Sequence, residues 1–308
     1  MARHENTSAL YAALFGNLAI AVTKFIAAGI TGGSAMLSEG VHSLVDTGNS
    51  VLMLYGQKRA AKPADAEHPV GHGRELYFWS FVVAMMIFAL GAGISIYEGV
   101  IHIVHPVPIT RPGISFIVFG LAFVFESISL WFAWRAFRKT KGRHTIWQAI
   151  RRSKDPTSFA VLLEDSAALI GIVIAMAGTA VSVLTRNPVW DGAASVAIGV
   201  LLAGVAVVLA RESKQLLVGE TADAEVVAAL RATVGAHPQV RRIVDLITVQ
   251  LGADQVFAAF TLEFPDEMTI PDLEHLIGAI GSTVRQKHPE VTRIFVRPEP
   301  RTQDSAAL

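Results

Sequence analysis

The sequence predicts a membrane protein with an all-α bundle of six spanning helices followed by a C-terminal α+β cytoplasmic domain. Three observations support this fold class. Of the 308 residues, 52% are hydrophobic and only 17% are charged, which is less charge than soluble domains carry. Six apolar segments reach the roughly 20 residues that a helix needs to cross a bilayer. After about residue 212, the pattern changes to short helices and strands.

The six predicted spans cover residues 8–30, 33–57, 76–104, 113–136, 157–184 and 189–210. We expect the second and fifth to be the least apolar, because they contain His42, Asp46, Glu164 and Asp165, so that hydropathy alone could overlook them. The N-terminus before the first span is short and polar, and no clear cleavage site follows. We therefore interpret residues 8–30 as a membrane span and not as a signal peptide.

Basic residues are concentrated in the loops on one side of these spans. That side carries Lys58, Arg59, Lys62 and Arg74, a second group from Arg138 to Lys154, and Arg211 and Lys214. The opposite loops carry little beyond Arg111 and Arg186. Because basic loops stay in the cytoplasm, both termini are predicted to be cytoplasmic.

The C-terminal region has the pattern of a small two-layer domain. Helical periodicity covers residues 222–236 and 270–287, and strand patterns cover 240–251, 255–264 and 291–297. The order αββαβ favours an α+β unit of the ferredoxin or metallochaperone-like type. We therefore predict a six-span membrane domain at 1–211, a cytoplasmic domain at 212–300 and a disordered tail at 301–308.

Composition excludes several classes of function. The formal net charge is zero, so nothing indicates nucleic-acid binding. There are no cysteines, so any metal site must use His, Asp and Glu. No nucleophile is paired with a base, and the chain is not expected to be an enzyme.

The second span contains a spacing typical of metal ligands. His42 and Asp46 are four residues apart, so they share one face of a helix, and Glu39 precedes His42 by three on that face. A charged side chain in a bilayer costs about 2.5–3.5 kcal/mol on insertion scales, which favours a functional role. The alternative is a buried hydrogen-bonded pair that only fixes helix packing.

Further carboxylates lie in the fourth and fifth spans. Glu164 and Asp165 are neighbours, so they cannot face one site equally, and we choose Asp165 as the ligand. Glu164 could face another helix or a water path, unless this part of the helix simply lies in water. Glu126 could supply a fourth ligand or carry a proton, or make an interhelical hydrogen bond as a neutral carboxyl.

A third cluster lies in the loop between the second and third spans. Asp65, His68 and His72 fall within eight residues, around one Pro and two Gly. They could fold onto one metal ion. Alternatively, the segment is a polar loop whose histidines cap the third span.

With these motifs in view, the sequence resembles the cation diffusion facilitator (zinc transporter) family. The resemblance covers almost the whole chain and includes Gly32–Asp46, His68–Trp79, six spans and the αββαβ domain. It implies a homodimer that exports divalent metal, usually in exchange for protons. His42 and Asp46 match two family ligands and Asp165 matches a third.

The fourth family ligand, commonly His or Asp, is Val161 here, a departure shared with a branch that contains mitochondrial zinc-transporter relatives. Glu164, Glu126, Glu39 or water would complete the shell. Asp65, His68 and His72 match a loop metal site of some members. In the cytoplasmic domain His275 matches one ligand position, but Val244 and Arg297 replace others, so we expect a dimerisation module without a well-formed metal cluster.

The expected function is Zn²⁺ efflux by proton-coupled alternating access, because tetrahedral nitrogen and oxygen ligands suit zinc. Co²⁺, Fe²⁺, Mn²⁺ and Cd²⁺ remain alternative cargoes. The rival hypotheses are a metal-binding scaffold or sensor that transports little, and a channel whose flux ignores a proton gradient. The expected location is a bacterial plasma membrane, with an organelle as the alternative.

Overall fold

The computed structural model describes residues 2–141 and 144–299, so the predicted tail at 301–308 lies outside the described residues. The membrane part contains α1 (Ala2–Thr31), α2 (Ser34–Ala60), α3 (Glu75–Val104), α4 (Pro112–Lys141), α5 (Ile146–Arg152), α6 (Pro156–Thr185) and α7 (Val189–Val218). Each predicted span corresponds to one of the six long helices, although the second begins one residue before α2, and the predicted fold class is confirmed. The short helix α5 was not predicted.

Among the described residues, four helices are long and apolar enough to cross a membrane: α3, α4 as far as Arg138, α6 and α7. Helix α1 contributes a shorter apolar stretch, Gly16–Thr31. The expectation of a weakly apolar second span holds for α2 but is wrong for α6. Glu164 and Asp165 are the only charged residues between Pro156 and Thr185, and aliphatic residues surround them.

Helix α7 runs eight residues beyond the predicted end at residue 210. The prediction stopped where the apolar run meets Arg211, but leaving an apolar environment does not require a helix to end. The hydroxyls of Ser213 and Ser80 of α3 lie 2.8 Å apart and are both buried. This hydrogen bond ties the polar end of α7 to the start of α3.

The C-terminal part contains α8 (Ala224–Gly235), β1 (Arg242–Gly252), β2 (Gln255–Glu263), α9 (Ile270–Lys287) and β3 (Val291–Glu299). The predicted αββαβ order is therefore confirmed. Strand β2 is central, antiparallel to β1 and parallel to β3. Its alternate residues are buried, and Phe260 and Leu262 pack in a core with Leu230 of α8 and Ile280 of α9.

The chain divides into two compact units. The first combines the residues up to Lys58 with Leu76–Lys214, and so contains the long helices. The second combines Arg59–Glu75 with the chain from Gln215 onward. The loop with Asp65, His68 and His72 thus belongs to the same unit as the mixed sheet.

Helix α2 is held at its start by a carboxylate of α7. Asp191 is fully buried, and its Oδ2 accepts hydrogen bonds from the backbone N–H of Ser34 (2.6 Å) and of Ala35 (3.2 Å). Its Oδ1 accepts one from Thr179 of α6 at 3.1 Å. A carboxylate that accepts from free N–H groups stabilises a helix N-terminus. Asp191 therefore fixes α2, which carries the candidate metal ligands, against α6 and α7.

Candidate metal centre

Helix α2 carries the candidate ligand pair, and its polar side chains from Ser34 to Asn49 are buried or partly buried in the helical unit. His42 is 2% exposed, and its Nδ1 lies 3.4 Å from Oδ1 of Asp46, one turn further along the helix. Both ring nitrogens of His42 and Oδ1 of Asp46 lack a hydrogen-bond partner among the described residues. Buried polar atoms are usually paired. This pair is therefore suited to a ligand that supplies the missing interactions, such as a divalent cation.

Carboxyl groups from two other helices converge on Asp46. Glu126 of α4 and Glu164 of α6 are buried, Asp165 of α6 is partly buried, and all three interact electrostatically with Asp46. Each α6 carboxyl also has a neutral hydrogen-bond donor. Ser129 of α4 donates to Asp165 at 2.8 Å, and Asn49 of α2 donates to Glu164 at 3.3 Å. Helices α2, α4 and α6 thus supply an oxygen-rich centre beside one imidazole.

Val161 does not belong to this centre. Its side chain is 41% exposed, whereas Glu164, three residues later on α6, is buried. The position where the family commonly has His or Asp therefore faces outward in this chain. The buried carboxyl of Glu164 points instead toward Asn49, three residues after Asp46 on α2.

Glu39 has a partner that the sequence analysis missed. Its Oε2 accepts a hydrogen bond from Nζ of Lys24 on α1 at 3.0 Å, and both residues are fully buried. Nζ also donates to Oγ of Ser43 at 2.8 Å. The overlooked signal was a lysine in the middle of a predicted span, where a charged residue is costly. Asn49, Ser129 and Asp191 were also missed, because short polar side chains are common in membrane helices.

The loop cluster is compact. Oδ1 of Asp65 lies 3.3 Å from Nδ1 of His68, and Oδ2 lies 2.9 Å from Nε2 of His72. The centroids of the two imidazole rings are 4.2 Å apart. Among the described residues, only this trio of His, Asp and Glu side chains has its potential ligand atoms within 4.8 Å of one another. His42, Asp46 and Asp165 are not brought together to that extent.

Asp65 is prepared for metal binding by its own hydrogen bonds. The side chain of His72 and the backbone N–H of His68 are the main causes that lower the pKa of Asp65 to about 2. The group is therefore ionised at neutral pH, as a metal ligand must be. His72 is mostly buried, and its Nδ1 lacks a hydrogen-bond partner among the described residues.

The loop packs on the sheet of its own unit. Arg293 of β3 donates to the carbonyl oxygen of Pro69 at 2.9 Å. A side chain at Gly73 would collide with the carbonyl oxygen of Leu251 on β1, so glycine allows the loop to lie against the strand. His275 is exposed on α9, and Arg297 lies 3.3 Å from Glu299.

Two family models match this chain along most of its length. The cation efflux transmembrane domain matches residues 10–218, and the cytoplasmic domain of cation efflux proteins matches residues 222–301. The first match runs from residue 10 in α1 to the end of α7, and the second covers the αββαβ domain.

Similar proteins include the proton-coupled zinc antiporter SLC30A9, mitochondrial, of Xenopus laevis, which is 33% identical over 236 residues, 76% of this chain and 42% of that protein. Metal tolerance protein C4 of Arabidopsis thaliana is 34% identical over 217 residues, 70% of this chain and 48% of that protein. The chain thus aligns with less than half the length of these relatives. A solved MamM CTD structure is 20% identical, with a TM-score of 0.24, and covers 25% of this chain and 94% of that one.

The resemblance stated from the sequence motifs is therefore confirmed, since both family models and the relatives agree with it. The chain belongs to the cation efflux family, which is the cation diffusion facilitator family.

Proposed function

We propose that this protein is a secondary transporter that exports divalent metal cations from the cytoplasm, with Zn²⁺ as the leading cargo and protons as the counter-ion. One observation supports this most directly. Helix α2 carries buried imidazole and carboxylate atoms that have no hydrogen-bond partner within residues 2–141 and 144–299, and carboxyl groups of α4 and α6 converge on them. A cation would satisfy these atoms, whereas helix packing alone would not need them.

The donor set favours zinc among the candidate ions. One imidazole and several carboxylates suit Zn²⁺, and the absence of cysteine removes thiolate ligands that favour softer ions. The frog relative carries the name of a zinc antiporter. Co²⁺, Fe²⁺, Mn²⁺ and Cd²⁺ remain testable alternatives, since nitrogen and oxygen ligands also bind them.

His42, Asp46 and Asp165 form the proposed transport site. Glu164 is the best-placed substitute for the ligand missing at Val161, because it is buried and its partner Asn49 lies close to Asp46 on α2. Glu126 is a further carboxyl group for the metal or for a proton, since it also interacts electrostatically with Asp46. These ligands come from three helices, so a relative movement of the helices would open the site.

The proposed mechanism is alternating access with competition between metal and protons. Metal binding requires deprotonated carboxylates and a neutral imidazole. Protons therefore compete with the cation for these ligands and lower its affinity. From the cytoplasmic side the cation binds the deprotonated site. After the helices rearrange, protons displace the cation toward the opposite side and are carried inward on return.

We further propose that the protein acts as a homodimer with cytoplasmic termini, and that Asp65, His68 and His72 hold a resident metal ion. The family model that matches the cytoplasmic domain is named as a dimer domain, which supports dimerisation. The location remains a proposal between a bacterial plasma membrane and an organelle. The frog and Arabidopsis relatives leave it open, since only the former is named mitochondrial.

A metal-binding scaffold or sensor is the second candidate function. It is favoured by Val161, which leaves the site one family ligand short and faces outward. Such a protein would bind metal and dimerise but would not lower cellular metal on expression.

The test is uptake of Zn²⁺, Co²⁺, Fe²⁺, Mn²⁺ and Cd²⁺ into proteoliposomes that contain the wild type or Asp165→Asn, with and without a pH gradient. We expect gradient-driven flux that the variant loses. Glu98→Gln is the matched control, because Glu98 lies in α3 and makes no contact with the proposed ligands among the described residues. No flux of any ion in an intact wild-type dimer would favour the scaffold or sensor. Flux that is independent of the gradient would favour a channel.

A further inference from the structure

Lys24 is a cation buried among the helices, close to the proposed metal site. Its side chain is fully buried in α1, where its ammonium donates to Glu39 at 3.0 Å and to Ser43 at 2.8 Å. Ser43 directly follows His42, and Glu39 precedes His42 by three residues. Lys24 also interacts electrostatically with His42, Asp46 and Glu126. A positive charge thus stands beside a centre that is proposed to receive another cation.

A purely structural role explains this arrangement poorly. A buried ion pair loses much of its attraction to the cost of removing both charges from water, and apolar side chains often join helices equally well. The lysine is also bound to Glu39 and Ser43, which lie within three residues of His42 on α2, rather than to a remote position. These facts point to an effect on the site itself.

Glu39 is held between three helices by this contact. Its Oε2 is bonded to Lys24 of α1, whereas its Oε1 lacks a hydrogen-bond partner among the described residues. A Cβ at Gly171 of α6 would collide with that Oε1. The carboxylate therefore lies between α1 and α6, and its position depends on Lys24. Without the lysine, Glu39 would be an unpaired carboxylate one turn from His42.

We propose that Lys24 sets the metal affinity of the transport site by withholding Glu39 from the metal and by repelling the bound cation. This inference rests on the proposed function of His42 and Asp46. A transporter must release its cargo, and every additional carboxylate ligand would slow release. Lys24 keeps the net charge of the Lys24–Glu39 pair at zero, so the pair adds no attraction for the divalent ion.

The proposal predicts how the metal affinity should change when the charges of Lys24 and Glu39 are removed singly and together, and a purely structural contact would not produce that pattern. Lys24→Met frees the Glu39 carboxylate and removes a repelling charge, so Zn²⁺ should bind more tightly, by about ten-fold or more, the order expected when a unit charge beside a cation is removed. Lys24→Met/Glu39→Gln removes both charges and should reverse that gain. Lys24→Arg preserves the positive charge, so it should not show the gain.

The experiment measures Zn²⁺ affinity by competition with a chelating dye on the detergent-solubilised dimer. All variants carry His68→Ala/His72→Ala, so that the loop does not contribute. Proteoliposome uptake of Zn²⁺ with the same variants provides a second measurement. Lys24→Met should lower both KM and kcat, since tighter binding slows release, whereas a merely damaged protein would lose kcat without a lower KM.

Two results would overturn the proposal. One is a folded, dimeric Lys24→Met variant that binds Zn²⁺ no more tightly than its parent. The other is a gain in affinity that persists in the double variant with Glu39→Gln. Asp46→Ala in the same background tests the proposed transport site separately from the role of Lys24. If this variant binds Zn²⁺ as tightly as its parent, the transport site itself is wrong and both proposals fail.

Discussion

The two candidate metal centres differ in how far they are assembled before any ion binds. In the loop, Asp65 is hydrogen-bonded to both histidines, and the three potential ligand atoms lie within 4.8 Å of one another. In the membrane, the candidates are spread over α2, α4 and α6, and the ring of His42 has no hydrogen-bond partner among the described residues. The loop trio is local in sequence, whereas the membrane centre depends on helix packing.

This difference suits two different tasks. A preassembled site loses little entropy when it binds metal and therefore retains it well. A site whose ligands come from separate helices can be opened by moving those helices. The comparison supports a resident ion in the loop and a transported ion in the membrane.

The largest expected effect tests the membrane centre directly. His42→Ala or Asp46→Ala should abolish metal flux, because each removes one of the two ligands that α2 supplies. The measurement is Zn²⁺ uptake into proteoliposomes, together with size-exclusion chromatography to verify an intact dimer. Normal flux in both variants would contradict the proposed site.

A smaller effect is expected at Gly171. A methyl group there would collide with Oε1 of Glu39, which Lys24 holds in place. Gly171→Ala should lower flux several-fold and destabilise the helical unit by about 1–3 kcal/mol through overpacking. Thermal unfolding and Zn²⁺ uptake measure the two effects.

Gly120→Ala in α4 is the matched control, because a Cβ there has no atom within 4 Å among the described residues. An equal loss of flux in both variants would indicate that the proximity of Gly171 to Glu39 does not cause the lower flux of Gly171→Ala.

The smallest effect on flux is expected from the loop. His68→Ala/His72→Ala should remove one bound metal ion per chain in equilibrium dialysis while leaving most of the flux. His237→Ala is the control, since His237 lies in the same unit and belongs neither to the trio nor to a ligand position matched in the family. A complete loss of flux in the double variant would place the loop ion in the transport step instead.

Asp65 should keep its contribution to the loop at mildly acidic pH. The pKa of Asp65 is lowered from 3.8 to about 2, so its contribution to loop stability is present above pH 4 and is lost only as pH falls through about 2. Thermal unfolding temperatures of the wild type and of Asp65→Asn should therefore differ by a constant amount between pH 7 and pH 4, and the difference should shrink only at lower pH.

Local patterns were sufficient to predict much of this protein. Apolar run length located the six helices, and alternation located β1 and β2, because these signals depend on neighbouring residues only. The loop trio was also predictable, since Asp65, His68 and His72 are separated by at most seven residues. Helix periodicity placed His42 and Asp46 on one face for the same reason.

Only the tertiary structure decided which distant side chains meet. Lys24 and Glu39 are 15 residues apart, Asn49 and Glu164 are 115 apart, and Ser34 and Asp191 are 157 apart. The outward position of Val161 likewise depends on the rotation of α6 against its neighbours. A sequence determines which face of a helix is polar, but packing between helices determines which polar groups share that interior and which ones pair.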